Sequence, residues 1–195
     1  MSEWGNELKA AAADGEHATF NIVMGTTGGA DRLAIVYDDD RFDLVSSDEL
    51  HDINFPNTIG GFRVRSPLVA RLKETATGRE FEFMVNHLYR SDSAKRREQG
   101  KKLHDWAAVQ PVPVIAVGDY NFDWDLPMAS GETHNDEMVR DGVWLWVRPS
   151  NPMPTQFSSH ESILDFVFLS GPARSWQLRE TLAGLEARSS ISRPC

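Results

Sequence analysis

Cysteine is almost missing from this chain: its 195 residues hold one, Cys195, at the last position. An internal disulfide framework and a cysteine-based zinc site are thereby excluded. Long apolar runs are missing too, since no stretch approaches the roughly 20 apolar residues that a membrane helix needs. Positive charge is scarce. Lys and Arg number 20 against 29 Asp and Glu, a formal net charge of -9. That balance speaks against a general nucleic-acid coat, whose binding comes from counterion release against Lys and Arg. It leaves room for an enzyme with a local basic rim and an acidic, metal-binding centre. The opening segment, MSEWGNELKAAAADGEH, has neither the basic start nor the apolar stretch of a signal peptide. As written the chain is expected in the cytoplasm, with secretion the alternative if an N-terminal segment is missing.

What is there points to a packed domain. Hydrophobic residues make up 41% of the chain, aromatics 10%, and there are six Trp, which excludes a disordered chain. The length suits one domain, residues 1–195, with a real core. Short β-rich runs alternate with turn signals. Residues 17–24 alternate loosely, 25–29 read as a turn, and 32–37 form a short continuous apolar run of the kind buried on both faces. A further strand starts at 42–45, and 48–61 read as a loop with Pro56, Asn57 and Gly60-Gly61 as breakers. Residues 67–73 and 80–88 flank a turn at Thr77-Gly78 and read as a hairpin, with Phe81, Phe83 and Val85 on one face by period two. Residues 91–109 are the one good helix. Leu103, Trp106 and Ala107 share a face there, the basic residues crowd the rest as a solvated surface, and Pro111 ends it. Buried strands follow at 112–117, 143–147 and 163–169, with a polar loop over 121–142 and a tail of helical composition from Ser175. Many strands and few helices suggest two packed sheets with helices outside.

Unusual polar groups stand at the ends of buried strands in three places. They are Asn86-His87-Leu88, Gly118-Asp119-Tyr120-Asn121, and Asp165 within the apolar run 163–169. A charge inside such a run is costly unless it is paired or binds metal. In this order, NHL, then GDYN after an apolar strand, then LDFVF, the chain resembles the endonuclease/exonuclease/phosphatase family, over about residues 25–169. GDYN matches the family's GD-aromatic-N pattern and is the most specific element.

The resemblance implies a four-layer α/β (α+β) sandwich, deoxyribonuclease-like, in which two packed mixed sheets are flanked by helices. It implies metal-dependent hydrolysis of a phosphoester, more readily a diester, with Mg²⁺ or Mn²⁺ as cofactor. The substrate would be nucleic acid, lipid or a small phosphodiester. By the same resemblance Asp119 orients and deprotonates the attacking water and is a candidate metal ligand. Asn121 helps hold the scissile phosphate, and His87 donates to a phosphate oxygen or assists the leaving group. Asp31 pairs with that His, Arg65 contacts a backbone phosphate, and Asp165 orients a second, C-terminal His. The family's opening strand pair, with its Gln-Glu metal ligand, and its closing Ser-Asp-His are not found. The expected form is therefore truncated at both ends, with outer strands missing and with self-association through exposed sheet edges. Two other readings stay open: a catalytically inactive remnant acting as a binding domain, and a sugar or inositol phosphate monoesterase.

Each residue also has a plainer alternative. His87 is a structural His at a strand end, and Asp119 and Asn121 are turn formers. Asp165 pairs locally, Asp31 is a turn residue and Arg65 an ordinary surface Arg. His134, His160, Asp123 and Asp125 read as loop residues. Trp144 and Trp146, on one side of their strand, read as core rather than as a base-stacking platform.

Overall fold

The computed structural model describes residues 19–54, 64–127, 133–156 and 161–176. These form two sheets. The smaller pairs β1 (Phe20–Met24) with β2 (Ala34–Asp38), antiparallel. The larger contains β3 (Phe42–Glu49), β4 (Leu68–Glu74), β5 (Glu80–His87), β6 (Val114–Asp125), β7 (Trp144–Trp146) and β8 (Ser162–Ser170). Its order is β3-β4-β5-β6-β8-β7. Only β5 and β6 are parallel, and α1 (Ser93–Ala108) makes the crossover that a parallel pair requires. A second helix, α2 (Thr133–Val139), precedes β7. No helix among the described residues is long and apolar enough to cross a membrane.

The hairpin expected from 67–73 and 80–88 is β4–β5. It turns through Gly78 at φ 70°, a left-handed conformation that glycine adopts without strain. Strand alternation then sorts the side chains of the large sheet. On one face Met84, Ala116, Tyr120, Phe122 and Phe168 are fully buried against Leu103 and Ala107 of α1 and Met138 of α2. On the other, Leu68, Ala70, Leu72, Phe81, Phe83 and Val85 meet Val23 and Ile35 of the small sheet. Each large apolar side chain fully buried this way contributes about 1.5–3 kcal/mol. The helices thus lie on one face of the six-stranded sheet and the small sheet on the other, an α+β sandwich.

Several expectations are corrected. β2 is not buried on both faces: Ile35 is buried while Ala34 and Val36 on either side are exposed, because the second face of the two-stranded sheet carries nothing among the described residues. The 121–142 region is no plain loop, since β6 runs on to Asp125 and α2 fills 133–139. The basic face of α1 is not wholly solvated. Its buried stripe is Arg96, Gln99, Gly100, Leu103, His104 and Ala107, a helical spacing carried largely by polar residues. Asp92 caps the helix, its carboxylate accepting from the N–H groups of Ala94 (3.0 Å) and Lys95 (3.2 Å). Trp144 is core, as expected, and Trp146 is half-buried. The helical tail beyond Trp176, His160 and the side chain of His134 lie outside the described residues.

Candidate active site

Three neighbouring strands place three of the expected residues side by side. In the parallel pair His87 lies opposite Asp119, and in the antiparallel pair Asp119 lies opposite Asp165. All three belong to the face that meets the small sheet, since Asn86, Tyr120 and Phe166 beside them point to the helices. Asp165 is therefore exposed rather than sunk in its apolar run, because period-two alternation turns it away from Phe166 and Phe168. Thr155 fixes its backbone, the hydroxyl oxygen accepting from the N–H groups of Leu164 (2.8 Å) and Asp165 (3.1 Å). No His among the described residues pairs with Asp165.

The glycine of GDYN has a steric reason. Gly118 sits at φ 127°, and a Cβ there would strike the carbonyl oxygen of Asn86 on β5. Only glycine lets β6 approach β5 this closely just before Asp119. Beyond Asp119 the register with β8 slips. Asn121 (φ 52°) and Asp123 (φ 48°) adopt left-handed conformations in this bulge, which re-aims the strand end.

Asn121 is 3% exposed. Its backbone N–H donates to Asp119 Oδ1 (2.8 Å) and its side-chain amide to the Leu88 carbonyl (3.0 Å). Its backbone N–H braces Asp119, and one N–H of its amide anchors the turn after His87. Asp119 Oδ2 lies 3.7 Å from His87 Nε2, too long for a hydrogen bond. Burial raises the Asp119 carboxyl above its ordinary value, and Asp165 adds to this; the Asn121 N–H, His87 and Arg90 pull the other way. Burial lowers the His87 imidazole, helped by Arg65 and opposed by Asp119, Asp31 and Asp165. The site thus pairs a carboxylate of increased basicity with an imidazole biased to its neutral form.

Asp31 is placed otherwise than expected. Its carboxylate makes an ion pair with Arg65 (Oδ2 to Nη2, 2.8 Å), and Arg65 Nε also donates to the Asp31 carbonyl (2.5 Å). Asp31 reaches His87 only through its field. Asp123, at the bulge, faces Arg96 at 3.8 Å.

Two features were outside the sequence reading. Glu49, at the end of β3, accepts from the N–H and hydroxyl groups of both Thr26 and Thr27. Burial alone would push its carboxyl up; these bonds override it and hold the pKa at about 2. From there a polar chain runs inward. The Thr27 hydroxyl accepts from Ser66 N–H, Asn54 donates to the Ser66 hydroxyl (2.7 Å), Gln99 to Asn54 (3.3 Å), and Tyr89 N–H to Gln99 (2.9 Å). The helical spacing of Arg96, Gln99 and Leu103 is the one signal in the sequence that points to it.

Among the described residues no group of three or more His, Cys, Asp and Glu could hold a metal ion. The facing carboxylates of Asp119 and Asp165 are hard oxygen donors. They suit a cation that keeps several waters and shares substrate oxygens, as Mg²⁺ does, and not a cage built by the protein alone.

The mixed six-stranded sheet, the small sheet over one face, and polar residues gathered where β5 ends beside the middle of β6 and the first half of β8 define the endonuclease/exonuclease/phosphatase fold. No protein-family model matches the chain, and no curated protein does. Solved structures do. A mannosyl-6-phosphatase of Bacteroides thetaiotaomicron is 20% identical with a TM-score of 0.60, the match covering 86% of this chain and 68% of that one. The human Nocturnin catalytic domain, with a bound sulfate, is 16% identical with a TM-score of 0.59, covering 87% and 65%. D. rerio TDP2, complexed with a single-strand DNA product, is 15% identical with a TM-score of 0.61, covering 85% and 66%. The chain thus spans about two thirds of the length of the structures it matches.

Proposed function

We propose that this chain is a phosphoester hydrolase in which Asp119 is the general base. The observation that carries the reading is the row His87, Asp119, Asp165 across three adjacent strands. Asp119 takes a proton from water, and the hydroxide attacks phosphorus as the bond to the leaving oxygen breaks. The Asn121 N–H on Oδ1 leaves Oδ2 of Asp119 to receive that proton. Burial, with the negative charge of Asp165 added to it, keeps Asp119 basic enough for the task. Neutral His87 donates an N–H to a phosphoryl oxygen, and Arg65 supplies positive charge beside it. Mg²⁺ or Mn²⁺, held by Asp119 and Asp165 with water and substrate oxygens, would neutralise phosphoryl charge when bound. A phosphodiester is the preferred substrate class. The neighbours, a phosphatase and a protein with a DNA product, support phosphoester chemistry and do not choose between diester and sugar phosphate.

The test is hydrolysis of a chromogenic phosphodiester in Mg²⁺, in Mn²⁺ and in chelator. Turnover that chelator abolishes is expected. Asp119→Ala should lower kcat by about 10²- to 10⁴-fold while leaving the far-UV circular dichroism unchanged. An unchanged rate in that variant would remove Asp119 from the mechanism.

A further inference from the structure

The turn between β5 and α1 is held with unusual completeness. Leu88 N–H donates to the Asp119 carbonyl (2.9 Å), and the Leu88 carbonyl accepts from Asn121 (3.0 Å). Tyr89 N–H is taken by buried Gln99 (2.9 Å). The carbonyls of Tyr89 and Arg90 both accept from Nη1 of Arg96, at 3.3 and 2.6 Å, and Arg96 is itself only 4% exposed. An arginine is buried where its hydrogen bonds fix something, and here it fixes the backbone of the next exposed arginine. Arg90 is exposed, three residues after His87, and among the described residues its side chain makes no ion pair or hydrogen bond. Arg65, the other cation at the site, is already engaged by Asp31.

We propose that Arg90 is a substrate-binding residue that takes a non-bridging oxygen of the substrate phosphate, with a pull that grows with the phosphate's charge from diester monoanion to monoester dianion. The inference rests on the hydrolase reading above and deepens it. A guanidinium with no carboxylate partner gains a charge-assisted hydrogen bond from phosphate without first giving one up. Its charge already reaches Asp119. The held backbone means that little ordering remains to be done on binding.

Two measurements separate this inference from the reading beneath it. The first is binding of inorganic phosphate to the full chain by calorimetry, which needs no turnover. Arg90→Ala should weaken binding by about tenfold to a hundredfold, and Arg90→Lys by less. The second is kcat/KM on p-nitrophenyl phosphate, a dianion, and on bis(p-nitrophenyl) phosphate, a monoanion. Arg90→Ala should lower the first more than the second, mainly through KM. Unchanged phosphate binding, or equal losses on both esters, overturns the role of Arg90. Phosphate binding that depends on Arg90 in a wild-type chain that hydrolyses neither ester overturns the hydrolase reading and keeps the anion site.

Discussion

The two faces of the six-stranded sheet are built from the same strands and differ sharply. The helix face is closed, with Tyr120, Phe122 and Phe168 fully buried and Tyr120 set edge to face on Phe168 at 5.0 Å and tilted on Phe122 at 5.3 Å. The opposite face is thinner. The small sheet covers β4 and β5, while Val167 on β8 remains 40% exposed. The candidate site lies on this thinner face. Titratable groups need water at hand and a partly apolar surround to shift their pKa values, and the closed face supplies no water. Stability and chemistry are thus divided between the two sides of one sheet.

That division can be broken most forcefully at Phe168. Phe168→Ala should cost about 3–5 kcal/mol in urea unfolding, whereas Val167→Ala, next to it on the other face, should cost less than about 1 kcal/mol because the side chain is already wet. Equal losses would show that the thinner face is as well covered as the thicker one. A smaller effect is expected at the boundary between core and site. Arg96→Leu leaves the Tyr89 and Arg90 carbonyls without their donor, at a cost of about 1–3 kcal/mol. Thermal unfolding gives the cost, and faster amide exchange confined to the turn after β5 would locate it. The smallest effect concerns acid. Glu49 has a folded-state pKa of about 2 against an ordinary 4.5. Its contribution is present above the ordinary value and is lost as pH falls from there toward about 2. Urea midpoints measured downward from neutral pH should drop in this window, and less steeply in Glu49→Gln. Identical pH profiles for the two proteins would detach Glu49 from acid stability.

Legibility in the sequence followed the range of the signal. The β4–β5 hairpin and the strand leading into GDYN could be read because alternation and turn residues are local, and the order of the three polar motifs matched the fold later seen. The same alternation, applied within residues 163–169, separates Asp165 and Val167 from Phe166 and Phe168; treating the run as uniformly buried obscured it. The stripe of α1 was hidden for a different reason. Its spacing is helical, but Arg96, Gln99 and His104 are polar, so apolar periodicity picks out only Leu103, Trp106 and Ala107. Glu49 could not be found at all, since its four donors come from the turn between β1 and β2, and nothing local to Glu49 announces them. Asp31 stands near Gly28 and Gly29, and its pairing with Arg65 depends on how that turn meets the residues ahead of β4, which is a tertiary fact.

The pairing order of the large sheet also sets a timetable for synthesis. β5, α1 and β6 form one contiguous crossover unit, so His87 and Asp119 can meet while later parts of the chain are still within the ribosome. Asp165 cannot. It arrives on β8, which must insert between β6 and the already emerged β7 before the row of three is complete. The β5–α1–β6 unit can therefore assemble before the site does, and the last strand among the described residues brings the second carboxylate together with the core residues Phe166 and Phe168.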